Sequence, residues 1–208
     1  MLTRKEFLSI LIISIVLGVI ISLVENEIIF LKTTLFVFIV ILVNTAAKKA
    51  AGFYLDTDIE VKIWEMKQFW VQKHIHAKNY IPVGIFAPLI VKFISIGLIN
   101  WMACLTFDAS GKVYRAARRH GIYSFSEVSE EEMGWIAASG TVVTILFAVL
   151  AYLIGQETLT KISLAYAFFN IIPAFDWDGA KIFFGNVTLW SFLAVISLIG
   201  LVATFAII

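Results

Sequence analysis

Long apolar runs alternate along the chain with two shorter polar regions. A helix needs about 20 apolar residues to span a bilayer. Runs of about that length predict membrane spans at residues 8–24, 28–47, 134–155 and 187–208. A shorter apolar run, residues 162–175, predicts a further span that ends near a proline. The apolar stretch at residues 82–107 is longer, and Pro88, Lys92 and Gly97 interrupt it.

The first polar region, residues 55–67, has apolar and charged side chains in strict alternation. The alternating residues are Asp58, Ile59, Glu60, Val61, Lys62 and Ile63. A period of two is typical of a half-buried strand, so a short β-strand region is predicted after the second helix. The second polar region, residues 108–133, is predicted to be a cytoplasmic loop. Its Ser129 and Glu132 have capping-box spacing, which predicts the start of the next helix.

The composition indicates a membrane protein. The chain is 61% hydrophobic and only 15% charged, whereas soluble domains have about 45–50% apolar and about 25% charged residues. The lipid bilayer is therefore the expected surrounding. A net charge of +1 without a basic tail gives no indication of nucleic-acid binding. The single cysteine, Cys104, excludes an intrachain disulfide and a cysteine zinc cluster.

The distribution of lysine and arginine favours a hairpin at residues 82–107. If this stretch crosses the membrane once and the N-terminus is cytoplasmic, nine basic residues lie inside and six outside. If it enters and returns as two half-helices, thirteen lie inside and two outside. Cytoplasmic loops carry the excess of basic residues, so the re-entrant arrangement is preferred.

These patterns predict an all-α polytopic membrane protein that forms a single domain, residues 1–208. It has five transmembrane helices plus a re-entrant hairpin, or six spans if the stretch at 82–107 crosses the membrane.

A motif near the C-terminus carries a family resemblance. Asn170, Pro173, Asp178 and Gly179 have the spacing Asn-x-x-Pro-x-x-x-x-Asp-Gly. This segment resembles the second signature of the site-2 proteases, which are intramembrane zinc metalloproteases. The resemblance implies that Asp178 stands where the family has its third zinc ligand.

The first signature of that family, His-Glu-x-x-His, is degenerate here. The matching position is the end of the second span, where Asn44 and Lys48 replace the two histidines and Thr45 replaces the general base. Residues 138–144 are similar to the family's third conserved segment, although its proline and asparagine are missing. The resemblance thus extends over about residues 41–185 and describes a divergent member.

The substitutions predict that the protease chemistry is lost. Zinc hydrolysis needs three protein ligands and a base beside the bound water. Asn44, Thr45 and Lys48 do not supply them, so no catalytic residue and no zinc are expected, with Asp178 the only retained candidate ligand. Two interpretations of Lys48 stay open: it forms a buried ion pair with Asp178, or it extends with Lys49 towards the lipid headgroups.

The resemblance also implies a role in binding other membrane proteins. In active relatives the strand after the second helix is thought to align substrates, so Ile59, Val61 and Ile63 are expected to accept an extended client by strand addition. The leading hypothesis is a pseudoprotease that binds a transmembrane client or regulates a partner protease.

Three alternatives remain at this point. The first is an active metalloprotease with unconventional ligands; its candidate histidines, His74, His76 and His120, lie in polar loops and are more typical of solvated side chains. The second is a transporter or channel with intramembrane charges along a polar path. The charges of that path would be Lys32, Lys92, Asp176 and Asp178. The third is a scaffold protein without small-molecule chemistry.

Overall fold

The computed structural model describes residues 2–23, 26–67, 80–112 and 128–206. His74, His76 and His120, and residues 113–127 of the predicted cytoplasmic loop, lie outside these ranges. Of the described residues of that loop, 108–111 belong to a strand and 130–133 to a helix.

Within the described ranges, four helices are long and apolar enough to cross a membrane. They are α1 (Arg4–Ser22), α2 (Glu27–Tyr54), α4 (Glu130–Leu153) and α7 (Val187–Ala206). Their sequences match the predicted runs, and the protein has the composition and helices of a multi-pass membrane protein. The predicted capping box opens α4, where Ser129 Oγ accepts from the backbone N–H of Glu132.

The fifth predicted span is only a short helix. α5 (Glu157–Ile171) has 15 residues, which at 1.5 Å per residue covers about 22 Å of a core about 30 Å thick. The helix ends two residues before Pro173, because the proline ring prevents its continuation. A last short helix, α6 (Asp178–Gly185), connects this turn to α7.

The stretch at residues 82–107 returns on itself, but not as two helices. Its first half is α3 (Val83–Ile94), a helix of 12 residues. The chain turns at Ile96 and Gly97, both with positive φ, and comes back to strand β4 (Leu105–Gly111), where the carbonyl oxygen of Cys104 lies beside Gly84. The predicted second half-helix is therefore wrong. Residues 105–110 alternate between apolar and polar, which favours a strand over a helix.

Two small sheets correct the all-α prediction. Strand β1 (Thr57–Ile63) lies within the predicted strand region and pairs antiparallel with β4, with Val61 opposite Phe107. A second antiparallel pair joins β2 (Met66–Lys67) to β3 (Tyr80–Ile81). One face of β1 is buried and contributes Ile59 and Val61 to the core, which is otherwise built from the long helices.

Candidate functional site

One buried face of α2 carries the residues that were compared with the first signature of the site-2 proteases. Asn44, Thr45 and Lys48 are at most 5% exposed. Positions i and i+4 lie on the same side of a helix, so Asn44 and Lys48 both face α4. The amide of Asn44 donates a hydrogen bond to Thr144 Oγ1 at 3.1 Å. This contact holds the amide against α4, which fixes the end of α2 relative to that helix.

The segment from Asn170 to Gly179 contains a tight turn between α5 and α6. Asn170 is buried and donates to the carbonyl of Tyr166, and the helix ends one residue later. A Cβ atom on Gly179 would lie 2.1 Å from the carbonyl oxygen of Ile171. Only glycine permits this approach of the two backbones. The turn thereby places Asp178 at the first position of α6, inside the protein.

Residues of α2 and of α6 meet in a buried ion pair. Lys48 Nζ lies 2.5 Å from Asp178 Oδ2, and the two side chains are 6% and 1% exposed. Among the described residues, none makes a hydrogen bond of ordinary geometry to either oxygen of Asp178. The ammonium of Lys48 is therefore the group that balances the carboxylate. This contact contradicts the interpretation of Lys48 as a lysine that extends to the headgroups.

A second lysine–aspartate pair lies beside the first. Lys181 Nζ is 3.3 Å from Asp176 Oδ1 and also donates to Thr106 Oγ1 and to the carbonyl of Phe107. Burial lowers the pKa of Lys181, and the charges of Asp176 and Asp178 oppose that shift. The ring of Phe107, fully buried on β4, lies within cation–π reach of Lys181, at 4.1 Å, and of Lys48, at 5.2 Å.

Helix α4 is shaped to receive these side chains. A Cβ atom on Gly140 would lie 2.7 Å from Lys48 Cε and 2.9 Å from Asn44 Nδ2. Gly140 belongs to the segment 138–144 that is similar to the third conserved segment of the site-2 proteases. The three segments that carry the resemblance thus lie together in space.

The residues around Asp178 do not fit a zinc ion. The ammonium of Lys48 lies where a metal would have to bind, and a charged lysine is not a ligand. The amide of Asn44 is already bonded to Thr144. In the part of the chain that the structure describes, no three His, Cys, Asp or Glu side chains lie close enough to hold a metal.

The four charged residues of the alternative transport path do not lie together in the structure. Lys32 is exposed near the start of α2, where its ammonium lies over the ring of Phe36. It precedes Lys48 by 16 residues, or about 24 Å of helix. Lys92 donates to Gly97 and Asn100 within its own turn. Of the four charges, only Asp178 is buried beside Lys48, and the exposed Asp176 is connected to this cluster through its ion pair with Lys181.

The outer edge of β1, predicted to accept a client, is partly occupied. Glu6, near the start of α1, is 1% exposed, and its Oε1 accepts from the backbone N–H of Val61 at 3.0 Å. Lys49 Nζ lies 2.7 Å from the same carboxylate, so Lys49 is also an ion-pair residue. Beside this contact lies a cleft of about 420 Å³ whose lining includes Phe53 and Ile59.

Sequence reasoning missed Glu6, Thr106, Phe107 and the contacts of Lys181. A signal existed for Glu6, because Thr3 and Glu6 form a capping box at the start of α1. A signal also existed for Thr106 and Phe107 in the alternation of residues 105–110. No sequence pattern indicates that the Lys181 side chain turns towards β4.

Comparisons of the chain with protein-family models, with curated proteins and with solved structures found no match. The resemblance to site-2 proteases therefore stays an expectation from the sequence motifs.

Proposed function

We propose that this protein is a catalytically inactive, site-2-protease-like membrane protein that binds an extended segment of a membrane client. The observation that carries the proposal is the Lys48–Asp178 pair. It lies between the two segments that resemble the family's metal-binding signatures, and its ammonium stands in the place of the cation. The pair keeps the segments together without any metal.

Loss of the chemistry is supported by the side chains themselves. Thr45 is buried and is not a carboxylate, so it does not serve as a general base. Asn44 is held by Thr144. Replacement of the reactive groups at these positions supports a role in binding instead of hydrolysis.

Client binding is supported by the outer edge of β1. In an antiparallel pair, alternate residues direct their backbone groups to the partner strand and away from it. An edge with outward N–H and C=O groups is a template for a further strand. The arrangement leaves two roles within one hypothesis: holding a client, or regulating a protease by competing for its substrate.

We further propose that the N-terminus is cytoplasmic and that α3 with its return segment dips into the membrane without crossing it. The excess of basic residues on one side supports this orientation. Highly exposed apolar side chains at the turn, including Phe93, Ile96 and Leu98, support contact with the acyl chains.

The loss of the metal site is tested by zinc content in purified protein. We expect no zinc in the wild type and about one zinc per chain in the triple variant Asn44→His, Thr45→Glu, Lys48→His, which restores the family signature. The control adds Asp178→Ala to the triple variant and is expected to lose the zinc.

Two outcomes would contradict the proposal in different ways. Stoichiometric zinc in the wild type that disappears in Asp178→Ala would make the chain an unconventional metalloprotease. A triple variant that folds but takes up no zinc would show that Asn44–Lys48 does not correspond to the first signature.

Strand addition is tested with backbone-methylated peptides on the full chain in zwitterionic nanodiscs. A peptide of alternating Thr and Val binds through the amides on one edge only, so methylation of one alternate set of amides should abolish binding and methylation of the other set should not. Equal effects of both methylations would exclude strand addition.

A further inference from the structure

The register of the sheet identifies which backbone groups of β1 face outward. At the two ends of the pairing, the backbone N–H of Trp64 donates to the carbonyl of Cys104, and the backbone N–H of Lys112 donates to the carbonyl of Asp56. Residues 58, 60 and 62 therefore form hydrogen-bonded pairs with β4. The backbone groups of Thr57, Ile59, Val61 and Ile63 point the other way, and the bond from the Val61 N–H to Glu6 agrees with this assignment.

Glu6 limits where another strand can pair. Its carboxylate takes the outward N–H of Val61, and Lys49 holds that carboxylate in place. The described residues make no hydrogen bond to the outward N–H or C=O of Ile59. Thr57, Asp58, Ile59 and Glu60 all line the cleft, together with Ser110 of β4 and Lys112. A pairing strand is thus directed to Ile59.

The side chains on either side of Ile59 define the chemistry of that strand. Asp58 and Glu60 are exposed on the outer face of the sheet and have no ion-pair partner among the described residues. Of the two basic residues nearby, Lys62 is bound to Asp108, and Lys112, which also lines the cleft, has its ammonium over the ring of Phe53 at 4.9 Å. Phe53, which is 67% exposed, adds an apolar side chain to the lining of the cleft.

An antiparallel strand centred on Ile59 would meet both carboxylates closely. The residue opposite Ile59 would form the hydrogen-bonded pair, and its side chain would lie on the same face as that of Ile59, which packs near Gly52 of α2. The residues opposite Asp58 and Glu60 would form non-hydrogen-bonded pairs, in which the Cα atoms are only about 4.5 Å apart and the side chains are close. Opposite charges at such positions stabilise strand pairing.

We propose that the β1 edge selects an extended segment with the pattern basic–apolar–basic, its apolar residue paired with Ile59 and its basic residues paired with Asp58 and Glu60. This inference rests on the proposed strand addition and names the partner's chemistry. Glu6 acts as the stop that sets the register, because a strand that continued to Val61 would have to displace it.

The experiment compares two fluorescent peptides, alternating Lys and Val or alternating Glu and Val, by anisotropy with the full chain in zwitterionic nanodiscs. From two cross-strand ion pairs we expect the Lys peptide to bind roughly 2- to 30-fold more tightly. Methylation of its Val amides should abolish binding, whereas methylation of its Lys amides should not. The protein variant Asp58→Lys with Glu60→Lys should reverse the preference.

A matched control is Glu27→Lys with Glu157→Lys, which makes the same change of charge at two exposed helix starts and should keep the preference. Equal binding of both peptides, with the methylation pattern retained, would overturn charge selection and leave strand addition standing. A preference that both double variants reverse would also overturn it, since net charge would then be the cause. No binding of either peptide, or no dependence on the methylated position, would overturn docking at the edge altogether.

Discussion

Two lysine–aspartate pairs of the same length lie in contrasting surroundings. Lys48–Asp178 and Lys62–Asp108 both have Nζ and Oδ2 2.5 Å apart. The first pair is 6% and 1% exposed and lies among α2, α4 and α6, whereas the second is 44% and 60% exposed on the outer face of the sheet. Distance alone therefore does not distinguish them.

The difference in burial determines what each pair does. Breaking a buried pair leaves a charge without water or a partner, which costs about 3–5 kcal/mol. Breaking an exposed pair lets water replace the partner, so its contribution is about 0.2–1 kcal/mol. The buried pair holds the candidate site together, and the exposed pair mainly removes one positive charge from the face where Asp58 and Glu60 stay unpaired.

The largest effect is expected for Lys48→Met. Asp178 would become a buried unpaired charge, so the free energy of unfolding should fall by about 3–5 kcal/mol, measured as thermal stability in detergent. The double variant Lys48→Met with Asp178→Leu should recover most of this loss, because an apolar pair of similar volume replaces the ions. Additive losses in the double variant would show that the two residues do not act as a pair.

Glu6→Gln tests an ion pair of intermediate exposure. Glutamine keeps an acceptor for the Val61 N–H but loses the charge that binds Lys49, which is 19% exposed. Loss of a hydrogen bond to a charged group costs roughly 1.5–3 kcal/mol. Thermal stability should fall less than in Lys48→Met. A loss as large as that of Lys48→Met would contradict the ranking by burial.

Gly140→Ala tests the steric side of the buried pair. The added methyl group would overlap Lys48 Cε and Asn44 Nδ2, and overpacking of this kind costs about 1–3 kcal/mol. The penalty should shrink in a Lys48→Ala background, as measured in a double-mutant cycle. Val142→Ala, at a partly exposed position of the same helix, serves as the control. If Gly140→Ala cost the same stability in the Lys48→Ala background, the strain would not come from contact with Lys48.

Lys62→Met is expected to have the smallest effect, about 0.2–1 kcal/mol. The hydrogen bond to Asp108 raises the pKa of Lys62 above its ordinary 10.5. A raised pKa means that this small contribution is complete at neutral pH and is lost as the pH rises through the raised value. Stability curves of wild type and variant should therefore converge at strongly alkaline pH. A gap that widens there would contradict the assignment.

The helices were predictable where the sequence pattern was long and uniform. The four long spans follow from apolar runs of about 20 residues, and the start of α4 from its capping box. The prediction for residues 82–107 was right that the chain turns back and wrong about the second half-helix. There the apolar character of the whole stretch concealed the alternation of residues 105–110, which becomes decisive only once β1 is available as a partner.

The candidate site was predictable in part, through the spacing of Asn170, Pro173, Asp178 and Gly179 and the matching positions Asn44 and Lys48. Sequence left open whether Lys48 meets Asp178 or extends to the headgroups. It gave no indication that Glu6 closes part of the strand edge.

By itself, the sequence determined the membrane class, the helical runs, the strand after α2 and the identity of the charged residues, because these depend on local periodicity and composition. Only the tertiary structure decided which charges meet. Lys48 and Asp178 are 130 positions apart, and their contact requires the turn at Gly179 and the space beside Gly140. The contribution of that contact to the free energy of unfolding then depends on its burial, and burial is a property of the packed helices and not of the residues alone.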